Sequence, residues 1–221
     1  AGAAGVPPGP NAGRLWHEPP VGRRDPVSRR TVWRLTHYRG HSHHCAGSQP
    51  CWLEGGRRLV LVADRDGWGN LFDYDFSRRT LRQLTDLRGS DRPRQAAVTG
   101  GSEIGFWYGD DQFELELSGL RIRRSASKVL DPGESCLASA WQTGVASLVD
   151  GRSVLWVARA TDAPRDRRVA AVTGGSGRPP FAAVHPCVRP GTDEVIFVSD
   201  AEGYAQIYTV AIGRLAALPK L

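Results

Sequence analysis

The sequence predicts an all-β chain, a β-propeller of four to five recognisable blades built from WD40-like repeats. Three observations predict it. A fourteen-residue segment occurs twice without a gap. Apolar runs begin at residues 59, 104, 154 and 195, about 40–50 apart, which is the length of one four-stranded blade. Helical periodicity is almost absent over the 221 residues.

Residues 1–13 hold only Ala, Gly, Pro, Val and Asn. They lack the charged start and apolar core of a secretory signal. Residues 1–28 read as a disordered leader, residues 29–213 as the propeller and residues 214–221 as a short tail. There is no Met, so the natural start is expected upstream. Arg23, Arg24, Arg29 and Arg30 have no interleaved aromatics, so they read as a solvated linker and not as a nucleic-acid arm.

Val32-Trp33-Arg34-Leu35-Thr36 reads as an outer strand, expected to close the ring by pairing with the last blade. The first copy of the repeat, Leu59 to Phe72, and the second, Val195 to Tyr208, share one pattern. It is four apolar residues, a small one, Asp, two variable positions, Gly, an aromatic, a small residue, an amide, an aliphatic and an aromatic. This is strand, turn, strand: Asp-x-x-Gly supplies the turn, and side chains alternate after it. Asp64, Asp66, Asp73 and Asp75 lack the later bidentate Glu of a calcium loop and read as turn acids. Leu81-Arg82-Gln83-Leu84-Thr85-Asp86 reads as the next outer strand. Weaker copies start at Gly101 and Gly151, and residues 112–135 and 159–181 are the least strand-like. Gly174-Gly175-Ser176-Gly177 lacks the Lys-Ser/Thr of a phosphate loop and reads as a plain loop.

Net charge is +6, and 27 of the 29 basic residues are arginines. Their forks suit carboxylates and phosphates, so an acidic partner is expected, either a polyuronate or a nucleic acid; the scatter of the basic residues makes nucleic acid the less expected of the two. No apolar run approaches the roughly 18 residues of a membrane span. Cys45, Cys51, Cys136 and Cys187 form no CxxC pair, so a zinc ribbon and a disulfide framework are not expected and a reduced, cytoplasmic setting is. No Gly-x-Ser-x-Gly occurs, which counts against a peptidase.

Four of the six histidines fall between His37 and His44. Imidazole exchanges protons near neutral pH and is the commonest protein ligand for metals. The run Arg39-Gly40-His41-Ser42-His43-His44 is therefore the candidate site.

Val32 to Thr36, Gly40-His41-Ser42-His43-His44, the Asp-x-x-Gly-x-x-Asn-Leu-Phe blade, Phe106-Trp107-Tyr108-Gly109 and Val184-His185-Pro186 together resemble oligogalacturonate lyases. The resemblance covers most of residues 15–118 and 183–210, with a thin match at 134–158; the blade pattern itself is shared with TolB-like propellers. It implies a seven-bladed propeller that has lost its central blades here. It also implies β-elimination of oligogalacturonides with a divalent metal, typically manganese. By resemblance, His185 and His41 are metal ligands, and His43, His44 and Arg39 are catalytic. The family's His-Pro-His reads His185-Pro186-Cys187 here, and no histidine lies between His44 and His185. The alternative is a propeller module without catalysis that binds an acidic glycan or a protein, or a fragment without activity. An open propeller edge implies self-association.

Overall fold

Both copies of the repeat fold as antiparallel hairpins. In the first, Arg58–Arg65 pairs with Trp68–Asp75 along its whole length, out to Arg65 opposite Trp68. Asp66 and Gly67 both take positive φ, 53° and 87°, the two-residue turn that follows the natural strand twist. Asp64 is therefore not a turn residue. It lies inside the pairing, opposite Gly69, and its carboxylate meets Arg92 at 2.7 Å. A side chain at Gly69 would put its Cβ 2.6 Å from Arg92 Cγ, so the bare glycine makes room for that arginine. In the second copy, Glu194–Ser199 pairs with Gln206–Ala211 across a wider turn. There the expected closure is present: Gly203 N–H donates to Asp200 O at 2.9 Å.

The structure is a computed structural model describing residues 8–44, 51–125, 141–147, 153–161, 165–173 and 184–221; within 141–147 it describes the backbone and Thr143. Cys45, Cys136, Ala46 to Ser48 and the Gly174 loop lie outside the described residues. No α-helix occurs among the described residues. The four apolar runs become strands beginning at Arg58, Glu103, Ser153 and Glu194, each one residue before the position read from the sequence.

The chain divides into two units, Ala1–Glu18 with His44–Cys136, and Pro19–His43 with Leu137–Leu221. Unit 1 holds two sheets. One runs Leu15–His17, Thr80–Gln83, Trp68–Asp75, Arg58–Arg65, with Trp52–Leu53 also paired to Arg58–Arg65. The other runs Arg121–Arg124, Asp111–Glu116, Glu103–Tyr108, Arg94–Thr99. Its core includes Leu59, Leu61, Phe72, Tyr74, Leu81, Ile104 and Phe106, all essentially without solvent contact.

Unit 2 also holds two sheets. Trp141–Ser147, Ser153–Arg159 and Arg168–Thr173 form one. The other runs Cys187–Val188, Glu194–Ser199, Gln206–Ala211, Thr31–Arg34, Val21–Arg24. The early strand Thr31–Arg34 therefore does pair with the last hairpin, Trp33 opposite Thr209. Leu155, Val157 and Ala170 of the first sheet share one core with Val32, Phe197 and Tyr208 of the second.

Two sequence expectations are corrected. Residues 8–28 are not a disordered leader, because buried anchors hold them. Trp16 packs on Phe72 at 5.7 Å between ring centroids, with the Arg14 and Arg65 guanidinium groups over its ring at 5.0 and 4.7 Å. Glu18 is buried in an ion pair with Arg65. Burial lowers the Arg65 pKa to about 10, because removal from water disfavours the charged guanidinium. The stretches 112–135 and 159–181 contain the strands Asp111–Glu116, Arg121–Arg124 and Arg168–Thr173. The first two escape a hydrophobicity reading because their outward positions carry cross-strand charge pairs such as Glu114 opposite Arg123. The tail is anchored as well: Leu218 is buried and Leu221 N–H donates to Arg167 O at 3.0 Å.

Candidate functional site

The histidine segment of unit 2 is built onto the second hairpin. Leu35 N–H donates to Ile207 O at 2.8 Å and continues the Thr31–Arg34 ladder. Next, Thr36 Oγ1 accepts from Ile207 N–H at 3.0 Å and donates to Gln206 Oε1 at 2.6 Å. Beyond Thr36 the chain leaves the sheet, and Gln206 Nε2 holds it by donating to Tyr38 O at 2.9 Å and Gly40 O at 2.8 Å. Ser42 N–H then donates to Ala205 O at 2.7 Å. Five residues are thus held by backbone atoms and one buried amide.

This anchoring fixes His41. Ala205 N–H donates to His41 Nδ1 at 3.2 Å. A backbone amide is always a donor, so Nδ1 is an acceptor and the neutral ring carries its proton on Nε2. The ring stands edge-on to Tyr204, 5.6 Å between centroids and 65° between planes. Tyr204, Tyr38 and Arg39 are exposed. Glu202 at the hairpin tip is held by Arg34 and by Tyr208 Oη, which donates at 3.3 Å.

The remaining site residues sit as follows. His43 is half-buried beside this segment in the chain. His44 is buried in unit 1, where one of its ring nitrogens lies within 4.8 Å of the buried Cys51 sulfur. His185 of unit 2 is half-buried, with a positive φ of 40°. Val198 N–H donates to the preceding Val184 O at 2.8 Å, and Thr143 Oγ1 to the following Pro186 O at 3.3 Å. Among the described residues, His41, His43 and His185 form no three-ligand group. Cys51 and Cys187 are buried thiols outside any disulfide.

Burial lowers the His185 pKa below the ordinary imidazole value. The folded state then resists protonation more than the unfolded chain. The associated stability is present above the unfolded value of about 6.5 and is lost as pH falls through the folded value. Urea titrations between pH 7.5 and 5 should show a stability loss that His185→Gln reduces. An unchanged pH slope in the variant would place the proton uptake elsewhere.

The donors of unit 1 do not suit manganese. A thiol beside an imidazole is a soft pair that favours zinc, whereas manganese prefers oxygen-rich surroundings. His41 has its Nδ1 occupied, and its Nε2 bears the proton in the neutral ring.

Sequence reading missed Gln206 and Thr36 as organisers of the site. The signal was the shared amide of the repeat, Asn70 in one copy and Gln206 in the other.

Sheets of this kind, spaced at these intervals, define a propeller-like all-β fold. No family model and no curated protein matches the chain. Among the solved structures that share its fold are two oligogalacturonate lyases. An oligogalacturonate lyase from Vibrio parahaemolyticus is similar at a TM-score of 0.73 with 11% identity, covering 92% of this chain and 99% of that one. An oligogalacturonate lyase in complex with manganese is similar at 0.66 with 12% identity, again covering 92% and 99%. At such identities the likeness establishes the fold.

Proposed function

We propose that the chain is an oligogalacturonate-lyase-like protein that takes an acidic oligosaccharide, an oligogalacturonide, at its histidine segment. The observation that carries this reading is the anchoring of His41, which presents an Nε2–H donor beside exposed Tyr204, Tyr38 and Arg39. An Nε2–H group and a guanidinium are suited to a uronate carboxylate, and aromatic rings to the apolar faces of a sugar. In the cleavage reaction a proton leaves the carbon next to the carboxylate, and the glycosidic oxygen departs. Arg39 neutralises the carboxylate as charge develops on it, and His43 takes the proton. His44 is buried and serves unit 1 instead. No step of this reading runs through manganese. In this reading the chain is a propeller of four to five blades, fewer than the seven of the family it resembles, in a cytoplasmic setting.

The second reading is a binding module without turnover. The lack of any histidine from residue 45 to 184 favours it.

The test is the ultraviolet absorbance of unsaturated product from digalacturonate, with and without added manganese, paired with calorimetry of digalacturonate binding. Product formation that His43→Ala abolishes supports cleavage. Binding without product, lost in His41→Ala, supports the module. A folded protein showing neither overturns both.

A further inference from the structure

The two copies of the repeat use their amides in the same way, with one difference. In unit 1, Thr85 Oγ1 accepts from Leu71 N–H at 3.0 Å and donates to Asn70 Oδ1 at 2.8 Å. The Asn70 amide then closes on one residue, accepting from Leu87 N–H at 2.6 Å and donating to Leu87 O at 3.2 Å. In unit 2, Thr36 and Gln206 reproduce the Thr–amide pair, with Ile207 in the place of Leu71. Gln206 is longer by one methylene. Its Nε2 passes the residue two beyond the threonine and also reaches the one four beyond it, bonding Tyr38 O and Gly40 O.

That second bond has a consequence. Gly40 N–H turns back to Tyr38 O at 2.8 Å, so the two carbonyls held by Gln206 belong to one tight turn. The turn delivers His41 onto the Ala205 amide. Gln206 is itself 3% exposed and touches nothing in solvent, so it acts only through the segment it holds.

We propose that Gln206 is a positioning residue: by bonding Tyr38 O and Gly40 O together, it sets His41 as a fixed Nε2–H donor toward an acidic oligosaccharide. The last clause rests on the proposed function; the positioning does not.

The test uses the full chain with 15N-labelled histidine and glutamine, in the wild type and in Gln206→Asn and Gln206→Glu. Asn keeps the arrangement seen at Asn70, with reach for one carbonyl only. Glu keeps the acceptor for Thr36 and loses both donated bonds. Long-range 1H–15N spectra read the His41 tautomer directly. The wild type should show a single Nε2–H form and a Gln206 side-chain NH2 protected from exchange. Each folded variant should show a mixture of tautomers, and digalacturonate should bind about tenfold more weakly. A variant that keeps the single Nε2–H form, or a wild-type Gln206 NH2 that exchanges freely, overturns the positioning role. If the tautomer shifts while the wild type never binds digalacturonate, the positioning role stands and the oligosaccharide reading fails.

Discussion

Asp73→Ala is expected to cost about 3–5 kcal/mol, because it leaves two arginines facing a buried gap. Asp73 is 1% exposed and receives both Arg58 and Arg82. The Arg58 Nε bond is 3.0 Å, and the two from Arg82 are 3.1 and 3.0 Å. Arg58, Asp73 and Arg82 come from three successive strands of one sheet, so the carboxylate ties the sheet across its width. The thermal midpoint should fall by at least about 6 °C. Replacing all three residues with apolar ones of similar size should recover most of the loss, since the penalty is the unpaired charge. A single variant that melts within 2 °C of the wild type would show a solvated cluster instead.

Asp25→Ala should cost about 2–4 kcal/mol in unit 2 by leaving several donors unmet. Asp25 Oδ1 accepts from Val27 N–H at 3.0 Å, Ser28 N–H at 2.7 Å and Ser28 Oγ at 3.0 Å. Its Oδ2 accepts from Val172 N–H, 147 residues away, at 2.7 Å. Asp25→Asn keeps the local acceptor but sets an amide N–H against the Val172 N–H, so its loss should be smaller. Hydrogen exchange at Val172 reads this directly. The amide should be protected in the wild type and open in both variants; continued protection in Asp25→Ala would contradict the role.

Much of the sheet architecture was legible because it rests on repetition. The matching fourteen residues located both hairpins, and the apolar runs located one strand in each of the four sheets. The pairing of Thr31–Arg34 with the last hairpin was legible from its likeness to Leu81–Asp86. What escaped was held by polar atoms. Trp16, Glu18 and Asp25 anchor a segment whose composition reads as unstructured. Arg121–Arg124 hides its strand behind ion pairs. The histidine segment stood out by residue type. The Ala205 amide that decides which nitrogen of His41 carries the proton lies 164 residues away, and no local pattern announces it.

The pairing of Thr31–Arg34 with Gln206–Ala211 also sets a timetable. Thr36 and Gln206, which seal that junction, are 170 residues apart in the chain. On a ribosome adding about 5–20 residues per second, the early strand waits roughly 10–30 s before its partner exists. During that interval Trp33 and the bare edges of its strand are open to any neighbouring nascent chain, so the yield of native protein becomes a race between synthesis and misassociation. Slower translation of the last hundred codons would lengthen the wait, and a chaperone that shields extended segments would shorten its consequences.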